Sequence, residues 1–150
     1  GNTDFTTEGI LDTTTTLGGA EAGAFDQAIT KTDPAMVMMS LATYQSIDPN
    51  NPAVFSSTII DGHIRNALKY TGVVISDSMS AEALSSYDVS QLGVKLVEAG
   101  GDMSCIGQTD YVKSIVDGLN ERAKSDPAFA SKVTAAATRV MALKIKMGLA

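Results

Sequence analysis

The sequence predicts an α/β fold built on a parallel sheet. Three observations carry that reading. Met36-Val37-Met38-Met39-Ser40, Val73-Val74-Ile75-Ser76-Asp77 and Met103-Ser104-Cys105-Ile106 are short apolar runs with the composition of buried strands. Segments of helical periodicity separate them. Those segments run to about ten residues or more, which suits the crossovers of βαβ units. Right-handed crossovers then lay the helices over the sheet.

The elements follow in order. Gly1 to Leu17 is polar and rich in threonine, with Thr13 to Thr16 consecutive. β-branching favours a strand there, and the Gly18-Gly19 break favours a loop; both readings stand. From Ala20 a helix brings Ala24, Phe25, Ala28 and Ile29 onto one apolar face, and Asp33-Pro34 ends it. After the first strand, Asp48-Pro49-Asn50-Asn51-Pro52 marks residues 42–57 as a loop. A second helix is expected over Thr58 to Lys69, with Ile60, Ile64, Ala67 and Leu68 on one face. It leads into Gly72 to Asp77, the clearest strand in the chain. A third helix starts at Asp88, where Asp88 and Gln91 resemble a capping box, and stops at Gly100-Gly101. The third strand follows. Val112, Ile115, Val116 and Leu119 then define a fourth helix. Asp126-Pro127 supplies an N-cap and a first-turn proline for a fifth. Its apolar face runs through Phe129, Val133, Ala136, Val140, Leu143 and Met147. With no internal repeat and no linker, residues 1–150 are expected to form a single domain.

Composition narrows the function classes. The 150 residues carry 17 Asp and Glu against 11 Lys and Arg, a net charge of −6, which argues against nucleic-acid binding. No apolar run reaches the roughly 18 residues of a membrane span. The first residues show neither a basic region nor an apolar stretch, so no signal peptide is expected within the numbered chain. The compartment stays open between the cytoplasm and export with the signal removed. A single cysteine and a single histidine exclude an internal disulfide and any multi-thiolate or His-rich metal centre. No metal and no cofactor are expected, and no phosphate-binding glycine loop is present.

In parallel α/β folds ligands bind beyond the carboxyl ends of the strands. Asp77 ends the second strand there. Its carboxylate could act as a nucleophile, a metal ligand or a general base. Equally, it could cap a helical turn beginning at Met79. His63 falls in mid-helix, away from any strand end, and reads as a surface or half-buried residue. Cys105 reads as a small buried hydrophobe. Asp4, Glu8 and Asp12 read as solvated loop acids.

Gly72-Val73-Val74-Ile75-Ser76-Asp77-Ser78-Met79-Ser80 resembles the G-V-V-I-S-D-D-L-S-M stretch of glycoside hydrolase family 3, and in particular its bacterial β-N-acetylhexosaminidase type. Met36 to Asp48 resembles that family's M-V-M-V-S-H-V-T-Y-P-A-L-D. Asn51 to Ala53 and Ser56 to Asp61 resemble N-P-A-x-x-S-x-x-I-I-D-G. Glu98 to Asp102 resembles E-A-G-A-D, and Arg139 to Leu149 resembles the closing R-I-L-A-L-K-x-R-L-G-L. The resemblance implies a TIM-type (β/α) barrel of ~250 residues. This chain matches its C-terminal portion only: about three of the eight strands with their helices and a C-terminal helix. Gly1 to Asp4 aligns just after the family's substrate-binding K-H-F-P-G-H motif.

The resemblance also implies a retaining glycosidase with Asp77 as nucleophile. The substrate would be a terminal β-linked sugar, plausibly a β-N-acetylglucosaminide of cell-wall glycans. Where the family carries an Asp-x-His acid/base dyad, this sequence has Thr6 and Glu8, which leaves Glu8 as the candidate acid/base. Leu41 stands at a family histidine position and Ser78 at a second aspartate. Tyr44 and Met79 are the candidate substrate contacts. The expected partners are a carbohydrate and either a second copy of the chain or the N-terminal part of the barrel. Association or rearrangement would cover the open sheet edges. The alternative is a catalytically dead half-barrel that binds sugar or self-associates.

Overall fold

The computed structural model describes residues 2–150; Gly1, the first residue of the aligned N-terminal motif, lies outside them. The elements are β1 (Leu11–Asp12), α1 (Ala20–Thr32), β2 (Met36–Met39), β3 (Thr43–Tyr44), β4 (Val73–Ser78), α2 (Val89–Glu98), β5 (Met103–Cys105), α3 (Tyr111–Ser125) and α4 (Pro127–Lys146). A π-helix, Thr58–Ala67, connects β3 to β4, and short 3-10 turns occupy Ala53–Phe55 and Glu82–Leu84.

β2, β4 and β5 form one parallel sheet with β4 in the centre. The three predicted strands are thus adjacent and parallel, as βαβ units require. β1 and β3 pair separately as a two-residue parallel ribbon. The sheet and its helices make part of a TIM-type barrel.

The centre of the sheet is the best buried. Val73, Val74 and Ser76 are almost wholly enclosed, with Ile60, Leu92 and Leu96 packed about them. α2 buries Leu92, Gly93, Val94, Leu96 and Val97. It can do so because α3 approaches it closely: a Cβ on Gly118 would overlap the Ser90 carbonyl, and one on Gly93 would meet Ile115. Asp88 caps α2 by accepting from the Ser90 amide, though Gln91 does not complete the box. Asp126 caps α4 by accepting from the Ala128 and Phe129 amides, with Pro127 in the first turn.

Of the two readings of the threonine run the loop holds, folded around the Asp12 carboxylate by bonds from Thr14 and Thr15. Several other expectations are corrected. Residues 42–57 include β3 and a 3-10 turn. The second helix is wound with i→i+5 bonds, Gly62 N to Ser57 O and Leu68 N to His63 O among them. β2 is not buried on both faces: it is an edge strand, and Met38 is 64% exposed. On α1 only Ile29 is buried, and Phe25 points to solvent. Cys105 is exposed because β5 is the other edge of the sheet.

A buried ion cluster fixes the amino ends of the strands. The side chain of Asp102, just before β5, is fully buried. Oδ2 pairs with Arg65 of the π-helix and accepts from the Val74 amide at 2.8 Å. Oδ1 accepts from Arg139 of α4 at 2.8 Å. Arg65 also donates to the carbonyls of Tyr70 and Gly72. Asp102→Ala would leave two partly buried cations without their counter-ion. Its expected cost is about 3–5 kcal/mol, read as a lower midpoint in urea unfolding. A variant that unfolds with the wild-type midpoint would show that the cluster does not hold the frame.

Candidate active site

Asp77 lies at the carboxyl end of β4. Met39 pairs with Ser76, so Asp77 is level with Ser40 just beyond the end of β2. On the other side the register changes. Ile75 pairs with Met103, but Ser78 pairs with Cys105, so β4 spends one residue more than β5 over that interval. This is a bulge, and Ser76-Asp77 lies inside it. A bulge breaks the ladder and re-aims a side chain.

The groups left over by the bulge are satisfied locally. The Cys105 amide donates to Ser76 Oγ at 2.9 Å, and the Cys105 carbonyl accepts from the Met79 amide at 2.8 Å. Ser76 is completely buried, so its hydroxyl stands in for a ladder carbonyl. Asp77 is half-buried, and its Oδ1 accepts from the Ser78 amide at 2.7 Å. Asp77 is not the cap of a helix: the next helical turn is Glu82–Leu84, whose cap position is Ala81.

The other candidates fall around this end of the sheet in different ways. The N-terminal loop docks on the turn after β4 through Ala83 N to Thr3 O, 3.0 Å, and Glu82 N to Asp4 O. Glu8, in that loop, is exposed. Tyr44 is half-exposed at the end of β3 and lines a groove of about 250 Å³ with Asp12, Met38 and His63. Met79, which the sequence suggests for substrate contact, is enclosed in the core at 1% exposure. A second groove, about 330 Å³, runs between β5, α3 and α4. Neither groove reaches Asp77 or Glu8, because three strands do not enclose the space over their carboxyl ends.

Sequence reasoning missed several polar groups. Ser76, buried inside an apolar run, had no visible partner. His63 Nε2 lies 2.8 Å from Asp26 Oδ1, which ties the π-helix to α1. Asp48 collects Asn51 and Ser56, and so folds the loop after β3. Asp12 is not a free loop acid. Its carboxylate accepts from two backbone amides and two hydroxyls, those of Thr14 and Thr15, which holds its pKa down at about 2. Among the described residues no cluster of three metal-ligating side chains occurs. Among the described residues no helix is long and apolar enough to cross a membrane.

A carboxylate raised on a bulge at the carboxyl end of a parallel sheet stands where (β/α) barrel folds place their functional groups. The family description "Glycosyl hydrolase family 3 N terminal domain" matches residues 6–143, and the chain belongs to that family. The chain is similar to a β-N-acetylhexosaminidase from Beutenbergia cavernae, with 35% identity and a TM-score of 0.88 over 96% of this chain and 43% of that one. It is also similar to a family 3 β-N-acetylglucosaminidase from a Paenibacillus species, with 27% identity and a TM-score of 0.81 over 93% of this chain and 27% of that one. An uncharacterized secreted glycosyl hydrolase of the fungus Arthroderma benhamiae is 36% identical over 69 residues, 45% of this chain. The chain spans 20% of that fungal protein and less than half of either solved chain.

The Asp12 turn gives a sign-defined pH test. The lowered pKa means that the turn is favoured above the ordinary carboxylate value of 3.8 and is lost as pH falls through about 2. Carboxyl carbon NMR should show Asp12 titrating near 2, with Thr14 and Thr15 amide exchange rising over the same range. Titration at the ordinary value would rule out the turn.

Proposed function

We propose that this chain supplies the C-terminal part of the barrel of a retaining glycoside hydrolase that acts on terminal β-linked sugars. Asp77 is the nucleophile. The observation that carries this reading is Asp77 itself: a half-buried carboxylate at the carboxyl end of the central strand, in a family 3 chain. One of its oxygens accepts from the Ser78 amide. That bond fixes the carboxyl plane and leaves Oδ2 to attack the anomeric carbon. The reading extends to β-N-acetylglucosaminides, including those of cell-wall glycans, on the strength of the hexosaminidase and glucosaminidase relatives.

A retaining glycosidase needs a second group to protonate the leaving oxygen and later to activate water. We assign this to Glu8. Its loop is fastened to the turn that follows Asp77, so both carboxylates belong to the same end of the sheet. Tyr44, half-exposed at the end of β3, is the aromatic side chain we assign to the sugar, in a groove that does not itself reach Asp77. Met79 lies too deep to touch substrate and instead supports the turn beneath it. A second reading, a sugar-binding or self-associating module without turnover, draws on one observation: Thr6 and Glu8 occupy the positions of the family's Asp-x-His dyad.

Hydrolysis of an aryl N-acetyl-β-glucosaminide by the full-length protein tests both readings. Asp77→Asn should reduce turnover to background. Glu8→Gln should lower kcat by ~10²–10⁴-fold, less on substrates whose leaving group needs no protonation. Proton NMR of the first product should show the β-anomer. Equal rates for wild type and Asp77→Asn would eliminate Asp77 as nucleophile. A wild-type protein that binds the sugar without cleaving it would establish the second reading.

A further inference from the structure

We propose that Ser76 and Ser80 are positioning residues that set the aim of Asp77, an inference that rests on the nucleophile reading above. Among the described residues, the hydrogen bond to the Asp77 side chain comes from the adjacent Ser78 amide. The side chain's direction comes from the bulge, and two serine hydroxyls hold the bulge from opposite ends. Below Asp77, Ser76 Oγ takes the Cys105 amide at 2.9 Å in a completely buried setting. Above it, Ser80 Oγ lies 3.1 Å from Ser78 Oγ and accepts from the Gly107 amide at 3.1 Å. Gly107 fits this arrangement, since a Cβ there would press on Ser80 Oγ at 3.0 Å.

The residues on both sides of Asp77 are therefore tied to the same neighbour, the end of β5 and the loop after it. Met79 N to Cys105 O, 2.8 Å, adds a third tie between them. With these bonds the carboxyl end of β4 cannot swing without moving the β5–α3 loop. Without them, the extra residue of the bulge is free to pair with β5, and Asp77 turns towards the strand partner's face. A register slip of one residue reverses the face to which a side chain points. Ser76 and Ser80 touch neither sugar nor water in the reaction; they act through Asp77.

The test is a kinetic comparison in the full-length protein. Ser80→Ala removes the upper tie at a half-exposed position, and Ser76→Ala removes the buried one. Each should lower kcat by roughly 10- to 100-fold with KM little changed, the expected scale for a displaced reacting group. The loss should fall on formation of the glycosyl-enzyme, read by burst kinetics or by the rate of labelling with a 2-fluoro glycoside. Ser80→Thr, which keeps the hydroxyl, should restore most of the rate. A purely structural role would lower the melting temperature of Ser80→Ala and leave the kcat of the folded enzyme unchanged, and that result would overturn the proposal. If Ser76→Ala does not fold, Ser80→Ala and its threonine rescue decide the matter. Turnover abolished in Asp77→Asn but intact in Ser80→Ala would remove the positioning role and leave the nucleophile standing. Wild-type turnover that survives Asp77→Asn would remove both.

Discussion

The frame of the molecule hangs on one carboxylate. Asp102 is buried where β4, β5, the π-helix and α4 meet, and it is shared by Arg65, Arg139 and the Val74 amide. A lone ionised carboxylate in such a place would be prohibitive. Here both oxygens are occupied by charged or backbone donors. Burial, together with the Arg139 charge, holds the Arg65 guanidinium below its ordinary pKa, and the Asp102 charge opposes that shift. The cluster is thus a matched set: apolar replacement of all its charged groups together costs far less than removal of one, which strands the others. Its distinctive contribution is registry. It connects residues 65, 74, 102 and 139, which no local interaction could bring together.

That fixed end makes an irregular opposite end tolerable. In barrels of this class the amino ends of strands serve stability and the carboxyl ends carry chemistry. The same division holds within one pair of strands here. β4 and β5 share the Asp102 bonds at their start, run in register at Ile75 and Met103, and fall out of register before Ser78 and Cys105. The disorder of the ladder is confined to the two residues that include Asp77. It is compensated by the Ser76 and Ser80 hydroxyls and by the Met79 N to Cys105 O bond. A bulge in a sheet without an anchored start would spread by slippage. With that start locked, it stays under the candidate nucleophile.

The sequence makes local features legible. Strand β4, the Asp88 and Asp126 caps, Pro127, and the stop at Gly100 each depend on residues close in the chain, and each appears as expected. The position of Asp77 at a strand end was readable for the same reason, because Val73-Val74-Ile75-Ser76 leads into it without tertiary knowledge. What escaped depends on distance or on neighbours. The i→i+5 winding of Thr58–Ala67 buries Ile59, Ile60 and Ile64 and leaves Ala67 exposed, so the face read at α-helical spacing from Ile60, Ile64, Ala67 and Leu68 holds only in part. The bulge is a relation between strands and has no signature within either. Cys105 and Met38 have the composition of buried residues, but β5 and β2 are edges, and edge position is a property of the sheet. Asp102 is an ordinary acid in the sequence, since its arginines lie 37 residues away on either side.

The edges also explain why the chemistry and the pocket separate. Asp77 and everything that orients it come from β4, β5 and the turns that follow them. The concave wall that would hold a sugar needs a closed ring of strands, and three strands curve through only part of one. The grooves of the molecule accordingly lie along its sides, next to β2 and β5, where the apolar surface of Met38 and Val112 is open. On the proposed reading the attacking carboxylate is a local construction, whereas substrate recognition belongs to the barrel as a whole. On the same reading, changes at Ser76, Ser80 or Gly107 act on the rate of attack. Changes in the loops at the ends of other strands act on which sugar is accepted. One fold can then alter its specificity without rebuilding its nucleophile.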